Sequence, residues 1–312
     1  MNILITGGTG SFGQAFVKKL LAQQVAKRIV IYSRGEHAQE HMARALDAWG
    51  ADHPVLRFFI GDIRDLDRLC LAMHGIDTVV HAAALKIVPT AEYNPTECVA
   101  TNIGGAENVV KAALHCGVKR VLALSTDKAV NPVNLYGATK LCAEKIFIAA
   151  NSLAAGRCRF SVMRYGNVAG SAGSVLPLFQ RLASEGKPLP ITDERMTRFW
   201  ITLDDATTFA IACLEMMTGR EIFVPKIPSI RIVDLAAAIS DKITPNTGIR
   251  PGEKLHETLI SEDEARMTFD FHDWFIIGPT KWQGGMPVAG GAYTSLNNKE
   301  WLSVEELKEM VK

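Results

Sequence analysis

The residues Asn2-Ile3-Leu4-Ile5-Thr6-Gly7-Gly8-Thr9-Gly10-Ser11-Phe12-Gly13 decide how this chain is read. A short apolar run suited to a buried strand breaks into a GxxGxxG turn, and an amphipathic stretch follows. Gly7 and Gly10 let the backbone turn tightly and approach a pyrophosphate. Gly13 lets the helix pack close on the strand, and the helix N-terminus offers N–H donors and a positive dipole. Glycine-rich turns also serve purely as turns. The strand–turn–helix context predicts a dinucleotide cradle made by Gly7, Thr9, Gly10, Ser11, Phe12 and Gly13.

Outward from that turn, β-branched runs alternate with amphipathic stretches as far as residue 165. Strands are expected at Asn2–Thr6, Arg28–Tyr32, Val55–Ile60, Thr78–His81, Arg120–Leu124 and Arg159–Arg164. Helices are expected at Gly13–Gln23, Glu36–Trp49, Asp65–Met73, Thr96–Cys116 and Gly137–Ala149. Such alternation means βαβ units and right-handed crossovers, hence an α/β fold with a doubly wound parallel (Rossmann) sheet. The texture changes after Arg164, with glycine, proline and serine crowding residues 166–190. Helices at Leu203–Met217, Arg231–Asp241 and Val304–Val311 and a strand at Glu221–Val224 follow, Ser303 and Glu306 capping the last helix. The expected division is a dinucleotide-binding domain over 1–165 and a smaller, mainly substrate-holding lobe over 166–312. Residues 200–225 are expected to return to the large sheet.

Composition narrows the function. A net charge of +1 excludes a polybasic nucleic-acid or membrane surface, so an anionic ligand must be held by a few placed groups. The six cysteines (Cys70, Cys98, Cys116, Cys142, Cys158, Cys213) form no CxxC pair and read as reduced thiols of a cytoplasmic protein. Only His37 and His41 stand at a ligand spacing, and no metal is expected. Met1 runs straight into the first strand, and no apolar run of about 18 residues occurs. Neither a signal peptide nor a membrane span is expected.

Further cofactor contacts are expected at the strand ends. Ser33 offers a hydroxyl, and Arg34 a guanidinium fork suited to a phosphate, where NAD-preferring sites place an acid. This favours NADP over NAD, although Arg34 also reads as an ordinary surface arginine. Asp62 and Ile63 are placed to flank an adenine, or simply to make a surface turn. Ala82 completes the set after the fourth strand, and His81 beside it reads as packed.

The chemistry lies in Ser125-Thr126-Asp127-Lys128 followed by Tyr136-Gly137-Ala138-Thr139-Lys140. Tyr136 and Lys140 are four apart and share a helical face. The Lys140 ammonium can lower the phenol pKa and hold the nicotinamide ribose, letting Tyr136 take the proton of an alcohol as its hydride leaves. Thr126, just past a strand, can bond the same oxygen. A YxxxK pair arises often by chance, but far less often beside a strand-end hydroxyl and an opening GxxGxxG.

These motifs resemble the extended short-chain dehydrogenases that modify nucleotide-linked sugars. The stretches Ser125–Pro132 and Asn134–Lys140 most resemble the inverting UDP-N-acetylglucosamine 4,6-dehydratases, which open pseudaminic acid synthesis. The likeness extends over the whole chain, including Ala84–Glu92, Met196–Trp200 and Arg250–Glu257. It implies NADP as cofactor, UDP-N-acetylglucosamine as substrate and a homo-oligomer. The implied catalytic residues are Thr126, Asp127, Lys128, Tyr136 and Lys140. Lys86, Asn167, Thr192, Arg198, Arg250 and Glu253 are implied around the UDP-sugar, with Arg198 either a nucleotide contact or an interlobe brace.

A 4,6-dehydratase oxidises C4, which acidifies the C5 proton, then expels the C6 hydroxyl and returns the hydride to C6. It needs acid/base groups beyond Tyr136, and Asp127-Lys128 would supply them. Lys128 is expected as the C5 base, its pKa drawn down by partial desolvation, with Asp127 protonating the departing hydroxyl. Related retaining dehydratases carry Asp-Glu there and 4-epimerases lack the charged pair, so both are weaker readings. A non-catalytic NADP-sensing regulator is a third, although such proteins commonly lose the tyrosine or the lysine.

Overall fold

Ile3, Leu4 and Ile5 are wholly buried, as a strand covered on both faces requires. In the computed structural model, residues 1–47, 54–244, 246–278, 285–288 and 290–311 are described. The chain begins β1 (Asn2–Thr6), α1 (Ser11–Gln23), β2 (Arg28–Ser33), α2 (Glu36–Ala45), β3 (Leu56–Ile60), α3 (Leu66–Met73) and β4 (Thr78–His81). Short helices α4 (Val88–Tyr93) and α5 (Pro95–Val99) lead through a π-helical turn at Ala100–Gly104 into α6 (Gly105–His115). Next come β5 (Arg120–Thr126), α7 (Leu135–Ala154) and β6 (Arg159–Tyr165).

The second half opens with β7 (Asn167–Val168), α8 (Val175–Ser184), β8 (Leu189–Pro190), β9 (Thr197–Ile201) and α9 (Leu203–Met216). Then follow β10 (Ile222–Pro225), β11 (Ser229–Arg231), α10 (Ile232–Ile239) and β12 (Ile243–Thr244). The tail holds β13 (Thr258–Ile260), α11 (Glu262–Ala265), β14 (Thr268–Asp270), β15 (Trp274–Ile277), β16 (Met286–Pro287), β17 (Tyr293–Thr294) and α12 (Val304–Val311).

Ten strands form one sheet in the order β16-β14-β15-β10-β6-β5-β4-β1-β2-β3. From β3 to β10 every pairing is parallel, while β15, β14 and β16 add antiparallel. Chain direction reverses its walk across the sheet between β1 and β4, the switch point at which doubly wound sheets bind ligands. A second cluster packs Leu176, Phe179, Met196, Trp200, Ile230, Leu235 and Leu307 around α8, α10 and α12.

Two expectations need correction. The helix predicted over Thr96–Cys116 runs unbroken from Pro95 to His115, but it is not regular: a π turn at Ala100–Gly104 lies inside it and holds the buried Asn102. There the Asn102 amide exchanges bonds with Leu85 N and O at 2.8 and 2.9 Å and donates to Thr139 Oγ1 at 3.0 Å. The helix predicted to reach Trp49 is described to Ala45, and residues 48–49 lie outside the described residues. At the other end, Ser303 and Glu306 exchange the bonds of a capping box.

An ion cluster ties the halves together. Arg164 on β6 is fully buried and holds Glu144 of α7 at 2.7 and 3.0 Å. Its other prong meets Glu264 of α11 at 2.8 and 3.0 Å and the Leu259 carbonyl at 2.8 Å.

Candidate active site

The cradle after β1 is built as its glycines require. Gly7 has φ +67°, and a Cβ there would sit 2.8 Å from Ala83 across the switch point. A Cβ on Gly13 would meet the Gly8 carbonyl at 2.5 Å, so glycine is what lets α1 start against the turn. Gly10 caps α1 without a side-chain bond, leaving the first-turn N–H groups for an anion. Thr9 and Gly10 are accessible, Phe12 is buried, and Ser11 Oγ accepts from Ala172 N at 3.1 Å. These residues fit a dinucleotide pyrophosphate.

At the end of β2, Gln39 bonds the Ser33 carbonyl and hydroxyl, both at 3.0 Å. The Arg34 side chain is 55% exposed, with Asp62 at 3.8 Å. Asp62 itself is occupied by Arg64, which donates from its side chain at 2.7 and 3.0 Å and from its backbone at 2.9 Å. Ile63 is buried under Gly105, and Ala82 is half-buried past β4. His81 is packed as expected: its Nδ1 bonds Thr6 Oγ1 at 2.8 Å, and burial brings its pKa down to about 3.

The next segment holds the titratable side chains of the site. β5 delivers Thr126 to the sheet's carboxyl edge, and a 3₁₀ turn presents Asp127 and Lys128. Asn134 then caps α7 by accepting from Gly137 N at 2.8 Å, while its amide donates to the Gly252 carbonyl at 2.8 Å. A Cβ on Gly137 would lie 2.1 Å from the Lys128 carbonyl. Glycine after Tyr136 is therefore what lets the Asp127–Lys128 turn press against the helix start.

Tyr136 is buried and hydrogen-bonded to Thr126, and burial pushes its phenol up to about 12. The cation drawing it back down is Lys128, whereas the sequence pointed to Lys140. Lys140 instead donates to the Leu124 carbonyl at 2.6 Å, and burial lowers its pKa to about 8 against the pull of Glu144.

Asp127 is fully buried. Its Oδ1 receives Thr126 Oγ1 at 2.9 Å and Lys128 Nζ at 3.1 Å, and its Oδ2 has no partner. Burial raises its pKa, with Lys128 opposing. Lys128 overturns the expectation of a depressed pKa. Burial does act to lower it, but Asp127 and Glu257, the latter 3.0 Å away, more than offset this and hold the ammonium protonated.

Glu257 is the residue that the sequence reading passed over. It closes the Arg250–Glu257 stretch, one helical turn's spacing beyond Glu253, but only its buried position marks it. Lys254 of the same stretch was also missed, and it donates to the Val130 carbonyl at 2.6 Å.

The residues expected around the sugar nucleotide divide by environment. Lys86 is exposed and Thr192 half-buried. Asn167 Oδ1 is buried without a partner, as an atom awaiting a ligand would be. Arg250 and Glu253 pair with one another at 2.9 Å. Arg198 is buried and committed inward, to the carbonyls of Thr197 at 2.7 Å and Leu255 at 3.2 Å, with Glu253 and Glu257 each at 3.8 Å. Among the described residues, no group of three or more His, Cys, Asp or Glu could hold a metal, and no helix is long and apolar enough to cross a membrane.

Residues 3–279 match the family described as a polysaccharide biosynthesis protein. A UDP-N-acetylglucosamine 4,6-dehydratase (inverting) of Campylobacter jejuni is 51% identical over 99% of this chain and 97% of its own length. A UDP-glucose 4-epimerase of Rickettsia conorii is 42% identical over 99% of this chain and 94% of its own. Among solved structures, Pen from Bacillus thuringiensis superposes with a TM-score of 0.92 at 38% identity, covering 99% of this chain and 96% of that one. A dTDP-glucose 4,6-dehydratase of Streptomyces venezuelae, solved with NAD bound, gives 0.75 at 25% identity over 82% of this chain and 87% of that one.

Proposed function

This chain belongs to the polysaccharide biosynthesis family, with the extended short-chain dehydrogenase fold, and from that premise we propose that it is an inverting UDP-N-acetylglucosamine 4,6-dehydratase. The Gly7–Gly13 cradle would hold a nicotinamide dinucleotide, which would supply hydride acceptance from C4 and its return to C6. The chain's own side chains move the protons. Tyr136 takes the proton of the C4 hydroxyl, Thr126 bonds the same oxygen, the Lys128 ammonium draws the phenol down, and Lys140 would hold the ribose. Once C4 is a ketone the C5 proton is acidic. Asp127 gives its proton to the departing C6 hydroxyl, and Lys128 takes the C5 proton. Lys128 rests as a cation, so it passes its proton to Asp127, 3.1 Å away, as Asp127 gives its own to the hydroxyl, and the amine so freed takes the C5 proton.

The observation that carries this reading is the pairing of buried Asp127 with partly buried Lys128 beside Tyr136. A 4-epimerase moves a hydride out and back at one carbon and needs only the tyrosine. A second acid/base pair, kept at the cost of burying charge, is surplus to that reaction and required for losing water. Incubation with UDP-N-acetylglucosamine should give a product lighter by one water by mass spectrometry. A product of unchanged mass would establish epimerisation instead.

The proposal extends to NADP as the cofactor, because Arg34 keeps its guanidinium open to solvent while Arg64 occupies Asp62. Arg250 and Glu253, paired in this state, would part to meet the diphosphate and the ribose. Lys86, Asn167, Thr192 and Arg198 would complete the substrate contacts. A homo-oligomer serving pseudaminic acid synthesis in the cytoplasm belongs to the same proposal.

A further inference from the structure

Glu257 has no part in the scheme so far, yet it is 2% exposed and lies inside the acid/base cluster. Its Oε1 sits 3.0 Å from Lys128 Nζ and 3.8 Å from Arg198 Nε, and its Oε2 is buried without a partner. Its backbone is fixed on both sides by Ser295, whose Oγ accepts from Glu257 N at 2.9 Å and whose own N donates to the Glu257 carbonyl at 2.8 Å. Lys128 therefore lies between two carboxylates, Asp127 at 3.1 Å and Glu257 at 3.0 Å. The other charged groups facing Glu257 are Arg198 on β9 and Lys254 on its own segment. Glu253 lies 3.8 Å from Arg198 Nη2, and His256 Nδ1 bonds Thr197 Oγ1 at 2.8 Å.

Three titratable side chains in a row, two buried carboxyls flanking the partly buried Lys128 ammonium, cannot each choose a charge independently. An ionised Glu257 neutralises the Lys128 ammonium and repels a second negative charge on Asp127. The proton then rests on Asp127, whose unpartnered Oδ2 would be costly as a bare buried anion.

We propose that Glu257 is a positioning residue for the elimination, its carboxylate fixing where the protons of the Asp127–Lys128 pair rest. It holds Lys128 charged and Asp127 protonated until substrate arrives, and touches neither substrate nor cofactor. This rests on the dehydratase reading above.

The test is a single turnover of the cofactor-loaded protein with UDP-N-acetylglucosamine, following reduced nicotinamide. Its absorbance rises as C4 is oxidised and decays as the hydride returns to C6 after water is lost. Removing the charge with Glu257→Gln lowers the proton affinity of Asp127 and Lys128 alike. The pH profile of the decay should therefore move toward acid by about one unit or more, while the rise keeps its own pH dependence. Should the amide not fold, Glu257→Asp, which draws the charge back by one methylene, should move the decay the same way by less. A decay that slows with its profile in place would make Glu257 merely structural and overturn the proposal. Loss of both phases in the unsubstituted protein would overturn the parent reading, and this one with it.

Discussion

Lys140 Nζ and the Leu124 carbonyl meet at 2.6 Å, so the buried lysine of α7 is anchored to the strand that delivers Thr126. Burial brings its pKa to about 8, and the cation is present below that pH and lost above it. The rate of C4 oxidation, followed at the reduced nicotinamide, should fall on the alkaline side near pH 8. Stability should respond in the opposite sense. Between about 8 and the ordinary 10.5 the unfolded chain binds more protons than the folded one, so Lys140 opposes folding less as pH rises through that window. Denaturant midpoints measured across it would report this.

Lys128→Glu would bring three carboxylates together with Asp127 and Glu257, so the neutral Lys128→Gln isolates the base more cleanly. Deuterium uptake at C5 should drop by about 10²–10⁴-fold, the usual worth of a general base. Reduced cofactor should still form. Uptake at the ordinary rate would remove Lys128 from the C5 step.

Arg34→Asp replaces an exposed fork at the end of β2 with a charge that repels a 2′-phosphate. A charge-assisted bond contributes roughly 1.5–3 kcal/mol, so NADP affinity should fall by about ten- to a hundredfold. NAD affinity should hold or rise. Calorimetric titration with each dinucleotide reads both.

Arg164→Met leaves Glu144 buried without its cation and unties α11 from α7. The loss should be about 3–5 kcal/mol, as for other broken buried pairs, measured by urea unfolding. Replacing all three of Glu144, Arg164 and Glu264 with apolar residues should cost much less.

The parallel sheet was legible because runs such as Ile3–Ile5 and Val79–Val80 are apolar on both faces, and only a covered strand tolerates that. Tyr136 and Lys140 were legible because a helix places residues four apart on one face. The π turn at Ala100–Gly104 was not, since one inserted residue leaves the average helical period almost unchanged. The charge state of Lys128 was misread for a different reason. Burial alone lowers a lysine pKa, and the sign here turns on Asp127 together with Glu257, which the fold brings in from far along the chain. Short strands such as Ser229–Arg231, which pairs with β9, carry too few residues to show alternation.

Proton NMR of the protein incubated with UDP-N-acetylglucosamine in heavy water, without added cofactor, tests the central claim most directly. Dehydration with inversion predicts a 4-keto-6-deoxy sugar carrying deuterium at C5, with the configuration there reversed. A C4 epimer with protium at C5, or a 4-keto-6-deoxy product of unchanged C5 configuration, would contradict it.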